Sequence, residues 1–273
     1  MQHYRPAWAP DSVDLETPSA ARMYDYYLGG SHNFAADRAL AEQYMRVLPD
    51  MPHLARANRH YLGRAVSYLA SAGIDQFLDL GSGLPTGGNV HDVAQAVNPA
   101  SRVVYVDADS VTVAHGQAML DTVPNADILH ADLRDPRSVL NSPEVAEHLD
   151  LSRPLGVLMV AVLHFVAPAD DPAAVVAEYR DATVPGSYLV MSHATNDYHP
   201  ETAKQAEVVY TQASHAMNFR SREQVLGLLE GYELVPPGLV DVIDWRPDQA
   251  AEHDPLGADV TRYNLLAAVG RRD

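Results

Sequence analysis

Residues 76–97, "QFLDLGSGLPTGGNVHDVAQAV", decide the fold. An apolar run, "QFLDLG", ends in Asp79, Gly81 and Gly83, and an amphipathic stretch with Val90, Val93, Ala94 and Val97 follows within a few residues. A strand, a glycine turn and a helix in that order let the backbone approach a ligand closely, beside a helix N-terminus with unpaired N–H groups. One Gly-x-Gly is weak by itself, since an ordinary tight turn has the same composition.

Outward from this stretch the chain alternates. The segments 102–109, 127–132, 155–166 and 187–195 are apolar and rich in β-branched residues, with helical lengths between them. Nearly continuous apolar strands are buried on both faces, which predicts a parallel sheet in an α/β fold. After further helical stretches near 200–217 and 221–230, "ELVPPGLVDVIDW" and "YNLLAAVG" read as two closing strands. With no helix between them, their natural pairing is antiparallel. Before the sheet, 18–48 reads as two short helices broken at "GGSHN", and 53–73 as a longer amphipathic helix ending at Gly73. The expected organisation is an arm over 1–17, a helical extension over 18–52 and a main domain over 53–273.

Composition narrows the function. The 273 residues suit one main core with additions, since domains typically span ~100–200 residues. With 19 Lys+Arg against 36 Asp+Glu the formal net charge is −17, a field that repels nucleic-acid backbones and anionic membranes. Neither is expected as a partner, and a small-molecule substrate is. The chain has no cysteine, so disulfides and thiolate chemistry are excluded. The 13 histidines are scattered without a metal-ligand spacing, and no metal site is expected. The first twenty residues lack the pattern of a secretory signal, and no apolar run approaches the ~20 residues that span a bilayer. A cytoplasmic protein is the expectation.

The second and third strands test the glycine turn. A nucleoside site of this architecture wants an acidic residue at the end of the second strand to hold ribose hydroxyls, and "VVYVDAD" supplies Asp107. The third ends in "HADLRD", where Asp132 can accept from an adenine amino group or merely cap a helix. A nicotinamide dinucleotide wants Gly-x-Gly-x-x-Gly, but the sixth position from Gly81 is Thr86. S-adenosylmethionine has no phosphate and tolerates a looser loop with a polar residue such as Asp79, so the methyl donor is favoured.

The motifs "FLDLGSG", "VVYVDAD" and "ADLRDP" resemble the successive cofactor motifs of class I S-adenosylmethionine-dependent methyltransferases. More narrowly, "ARMYDYYLGGSHNFAADR", "QFLDLGSGLPTGGNVHDVAQ", "VAVLHFV", "PGSYLVMSHAT" and "WRP" are similar to a bacterial family of S-adenosyl methyltransferases with unassigned substrate. The resemblance runs from about Pro18 to Arg271, and Gly-Leu-Pro-Thr, with Pro85, is that family's form of the loop. It implies a Rossmann-like fold: a seven-stranded, mostly parallel sheet with an antiparallel last strand, helices on both faces and an N-terminal helical extension. The donor site expected on these motifs comprises Asp79, Gly81, Ser82, Gly83, Asp107, Ala108, Asp132 and Leu133.

Catalysis is less legible. Ligands in open α/β sheets bind outside the carboxyl ends of the strands, and His164 and His193 fall at the ends of the fourth and fifth. Either could serve as a base, or satisfy a backbone carbonyl. An N-terminal extension in the class I enzymes often covers the donor, so "MYDYYLGGSHNFAADR" is expected to form a lid that touches ligand through Tyr24, Gly29, Gly30, Asn33 and Arg38. Its alternative is a helical hairpin packed on the core. A donor-binding protein without turnover and a nicotinamide-dependent oxidoreductase are the rival functions.

Overall fold

The computed structural model describes residues 14–85, 87–247 and 263–273. Most of the expected arm, residues 1–13, and the loop residue Thr86 lie outside them.

The sheet is built as the sequence pattern predicts. Strands β1 (Gln76–Leu80), β2 (Arg102–Asp107), β3 (Ala126–His130), β4 (Gly156–Val160) and β5 (Tyr188–Ala194) pair in parallel in the order β3-β2-β1-β4-β5. Beyond β5 lie the short β6 (Glu233–Leu234) and β7 (Val240–Asp241) and the long β8 (Leu265–Arg271). β8 runs antiparallel to β5 and carries both short strands, also antiparallel, on its other edge. The sheet thus has eight strands among the described residues, not the expected seven. The sixth expected strand is broken in two by Pro236–Pro237, because proline has no N–H to give a ladder.

The helices are α1 (Ala20–Tyr27), α2 (Ala35–Val47), α3 (Met51–Ser71), α4 (Val90–Val97), α5 (Ser110–Leu120), α6 (Pro136–Leu140), α7 (Pro143–His148), α8 (Pro172–Ala182), α9 (Pro200–Tyr210) and α10 (Arg222–Leu228). Side chains alternate across a strand, so each strand feeds two cores. Phe77, Val103, Leu158 and Val190 face a core with α1 to α5 and α9, whereas Leu78, Val104, Val157 and Leu189 face one with α6 to α8 and α10. The same alternation aims Asp79 and Asp107 toward the first layer and His193 toward the second. Burying each such Val or Leu contributes ~1.5–3 kcal/mol, which is why both faces must be covered.

Two boundaries shift. The fourth strand stops at Val160 rather than near 166, and His164 sits in a 3-10 turn, Leu163–Phe165. The break falls at Ala161, whose φ of 56° lies in the left-handed region that a non-glycine residue enters only at a cost. The helix expected over 200–217 ends at Tyr210, which leaves 211–219 to loop back toward the sheet. No helix among the described residues is long and apolar enough to cross a membrane.

Candidate functional site

The turn after β1 is shaped from both sides. Gly81, at φ 71°, donates its N–H to the Val106 carbonyl at 2.8 Å, and a Cβ there would overlap the Val162 side chain. Gly83, at φ 66°, donates to Asp107 Oδ2 at 2.8 Å, yet a Cβ on it would meet nothing within 4 Å. Gly81 is required by close packing, and Gly83 by the turn alone, beside open space.

That space is a cavity of about 370 Å3 at the carboxyl ends of β1, β2 and β4. Asp79, Gly81, Ser82, Gly83, Asp107, Ala108, Asp132 and Leu133 all line it, so the geometry brings the eight residues together. Asp79 is 5% exposed and has no hydrogen bond or ion pair among the described residues. Burial pushes its carboxyl up to about 7, with Asp107 raising it and Arg59 lowering it. Asp107 is likewise pushed up to about 6 by burial, against the N–H donors of Asp109 (2.8 Å) and Gly83. Two acids whose charged forms are both disfavoured by burial form a site that gains when a cation or a hydroxyl arrives. Asp132 differs: it is half-exposed and held by Arg134 at 2.6 Å, which keeps its carboxyl below the usual range.

The N-terminal extension contributes to the cavity wall, mostly through residues other than those expected. Tyr24 lines it, but Gly29, Gly30, Asn33 and Arg38 do not. They build the turn between α1 and α2, where Asn33 Nδ2 donates to Asp25 Oδ2 at 2.8 Å and Arg38 donates to the Asn33 carbonyl at 2.9 Å. Arg22, which sequence reading passed over, lines the cavity instead. Its guanidinium donates to Asp37 (2.9 Å), Asp109 (3.0 Å) and the Thr17 carbonyl (2.7 Å), and so fastens the extension beside Asp107. Asn58 was also missed, although a polar residue on the Ala55, Leu62, Ala65 face of α3 was a readable signal. Its Nδ2 donates to the Tyr24 hydroxyl at 3.0 Å, and its Oδ1 accepts from Ser192 Oγ at 2.6 Å. Ser192 Oγ in turn accepts from the strained Ala161 N–H at 2.9 Å, so a buried chain links α1 to the tip of β4.

The two histidines part company. His193 is fully buried and lies off the cavity wall. Arg220 donates to its Nε2 at 2.8 Å, so Nδ1 carries the proton and donates to the Ala194 carbonyl at 2.8 Å. Burial and then Arg220 push its pKa down to about 3, which holds it neutral. Arg220 also donates to the carbonyls of Leu163 (2.9 Å) and Val166 (2.8 Å), clamping the turn that carries His164. His164 does line the cavity, and its Nδ1 is buried with no partner. Burial, followed by His193 and Arg220, holds its pKa well below the ordinary value. Among the described residues no cluster of His, Asp and Glu converges to hold a metal.

Comparison with known proteins supplies the family. Residues 6–273 match the sequence profile of the S-adenosyl methyltransferase family. The chain is similar to the crystal structure of a protein from Thermobifida fusca named as a methyltransferase, at 41% identity and TM-score 0.90, over 98% of this chain and 100% of that one. It is similar also to a DUF574 family protein from Streptomyces avermitilis, at 38% identity and TM-score 0.90, over 95% and 99% of the two chains. An O-methyltransferase family protein from Burkholderia thailandensis shares the fold, with 14% identity, TM-score 0.55 and coverage of 94% and 65%. No curated protein matches the sequence. The chain belongs to the S-adenosyl methyltransferase family, and its cofactor is S-adenosylmethionine.

Proposed function

From the premise of a methyltransferase with an unassigned acceptor, we propose that the cavity holds the donor at its strand-edge end and passes the methyl group to a small molecule beneath the N-terminal extension. The observation that carries this reading is Asp79, a buried carboxyl on the cavity wall that no described residue hydrogen-bonds, with Arg59 of the same wall interacting with it electrostatically. The donor brings a sulfonium and an ammonium, and either cation supplies the charge that Asp79 lacks. Asp107 keeps lone pairs for ribose hydroxyls beyond the two backbone donors it already accepts. Gly83 leaves room beside it, Ser82 and Ala108 frame the turn ends, and Asp132 with Leu133 edges the adenine position. The donor supplies an electrophilic methyl group on a positive sulfur, so positioning of the acceptor at ~3–3.5 Å is the chief demand on the protein.

In this reading His164 is the group that touches the acceptor. Burial holds its pKa well below the ordinary value, so the ring stays neutral at neutral pH and offers the acceptor a hydrogen-bonding group rather than a strong base. His193 acts through Arg220 on the turn, as a positioning residue. Residues 18–52 serve as the lid, with Arg22 and Tyr24 as its working contacts. Nucleic acid and membranes are not partners, in keeping with a net charge of −17, and the protein works in the cytoplasm.

Thermal unfolding with S-adenosylmethionine, S-adenosylhomocysteine or NAD tests the assignment. At a hundredfold excess over Kd a ligand adds ~2.7 kcal/mol, so both sulfur ligands should raise the midpoint clearly, and Asp107→Ala should abolish the rise. A rise with NAD alone, or a full rise in Asp107→Ala, would overturn it.

A further inference from the structure

The strand-edge end of the cavity holds a pair of opposite charges that stops short of contact. Asp79, at the tip of β1, makes no hydrogen bond among the described residues, and neither of its carboxyl oxygens is a buried orphan, so both open onto free space. Arg59, on α3, lines the same wall. Its charge is felt by Asp79 and by the Tyr24 and Tyr105 hydroxyls, yet it lies farther from Asp79 than the 4.0 Å of an ion pair. Opposite charges that face each other across such a gap hold water or a ligand between them, because desolvating either one alone is costly.

The gap lies at a junction of two cavities. A second, small one of about 20 Å3, with Pro85 and Asn89 on its wall, shares Arg59, Asp79, Ser82 and Gly83 with the large one. At this shared wall a Cβ on Gly83 would meet nothing within 4 Å. The space suits a water or the end of a small charged group, and no ring. Arg59 is steadied from the loop side, where its Nη2 donates to the Gly87 carbonyl at 3.5 Å. A guanidinium has five N–H donors, so a contact with the loop and a contact with a ligand are compatible.

The other cations of the wall are committed elsewhere. Arg22 is held by Asp37, Asp109 and the Thr17 carbonyl, and Arg134 by Asp132 and Asp170. His215 acts on Asp132, which follows β3, two strands from Asp79. Arg59 is therefore the cation placed to share a ligand with Asp79.

We infer that Arg59 and Asp79 together grip the donor's amino acid head as a zwitterion, Arg59 taking the carboxylate and Asp79 the ammonium, and so select a donor with an intact α-amino acid over one that lacks it. This rests on the assignment of the strand-edge end to S-adenosylmethionine. Each charge of the site then meets its opposite on one carbon of the ligand, and the water of the empty gap is displaced by groups that replace its hydrogen bonds. The planar guanidinium matches a carboxylate in two-pronged fashion, so Arg59 acts by shape as well as by charge. A bridging water that stayed in place would have a different signature, because it would not distinguish a donor with a carboxylate from one without.

The test titrates the full chain calorimetrically with S-adenosylmethionine, S-adenosylhomocysteine, decarboxylated S-adenosylmethionine and methylthioadenosine. The unaltered protein should bind the decarboxylated donor at least about tenfold more weakly than the donor itself, since a site built for a polar group rejects the analogue without it. Arg59→Gln should weaken S-adenosylmethionine by about tenfold or more and leave the decarboxylated donor no weaker. Asp79→Asn should weaken both, and S-adenosylhomocysteine equally, because the ammonium and not the sulfonium is what Asp79 holds. Methylthioadenosine has neither charged group and should be unmoved by either substitution. Equal losses for the two donors in Arg59→Gln, full S-adenosylmethionine affinity in that variant, or a decarboxylated donor bound as tightly by the unaltered protein would overturn the inference. If Arg59→Gln fails to fold, the ratio of the two donors on the unaltered protein still decides. Failure of all four ligands to bind the unaltered protein would instead bring down the donor assignment beneath it.

Discussion

Two turns of this chain carry paired glycines, Gly81 with Gly83 after β1 and Gly29 with Gly30 after α1, and they come to opposite ends. In the second, a Cβ on Gly30 would overlap the Asp25 carboxylate, which folds back to accept from the His32 N–H at 2.9 Å and from Asn33 Nδ2. On the Gly30 side that turn is filled by its own helix, although a Cβ on Gly29 would meet nothing within 4 Å. In the first, the space beside Gly83 is empty of protein, and only one N–H is drawn inward, to Asp107. A glycine turn is a ligand turn when the room it makes is left for something else. The glycine pairs alone do not distinguish the cases; the Asp25 side chain that reaches back does.

The contrast can be broken by substitution. The largest effect is expected for Asp25→Ala, which strands the His32 N–H and leaves Asn33 Nδ2 with the Gly30 carbonyl alone, and should cost about 2 kcal/mol of stability. Urea unfolding should show a lower midpoint at unchanged slope, with donor affinity of the folded protein intact. A loss of donor affinity without loss of stability would make the α1 turn a ligand turn after all.

Asp79→Asn comes next, and it acts on the other turn. Donor affinity should fall by about tenfold, or about 1.4 kcal/mol, when the charge is removed. The ligand-free protein should behave in the opposite sense. With a folded pKa of about 7 against 3.8 as the ordinary value, the folded state holds an extra proton between the two. Stability is therefore greatest below the lower value and is lost as pH rises through the upper one, with Asp107, at about 6, adding in the same direction. Unfolding midpoints at about pH 5 and about pH 8 should show this fall in the parent and a shallower one in Asp79→Asn. An unchanged slope would mean that Asp79 is not the group that titrates.

The smallest effect sharpens the edge of the site. Arg134, with 39% side-chain exposure, holds Asp132 in water's reach, so Arg134→Ala should change donor affinity by less than about 1 kcal/mol. A larger change, read by the same calorimetry, would move Asp132 from the edge to the centre of donor recognition.

Much of the fold was legible because its signals are local. Apolar runs, strand-end acids and the Gly-x-Gly turn each lie within a few residues, and the eight donor-site residues they nominate share one cavity. The rest depends on distance along the chain. Arg22 meets Asp109 87 residues away, and Asn264 reaches the cavity from the far edge of the sheet. The sequence leaves His193 open between a base and a histidine that satisfies a backbone carbonyl; it donates to the Ala194 carbonyl and lies off the cavity wall, because Ser192 and Ala194 share the face of β5 toward Asn58 and the cavity, and the residue between them faces the other core. Composition leaves the α1 turn open between a lid and a packed hairpin, and what it cannot show is the Asp25 side chain folding back under Gly30.

The position of β8 sets a timetable for the molecule. Residues 265–271 lie between β5 and the pair β6 and β7, joining strands formed from segments made much earlier. Until synthesis passes residue 271, β5 exposes a long apolar edge and the cavity lacks Asn264 and Leu265. Pairings so distant in sequence form slowly and leave unpaired edges open to aggregation in the interval. Assembly of the nascent chain is thus decided late, and a stop before residue 265 would yield a sheet without its keystone rather than a smaller enzyme.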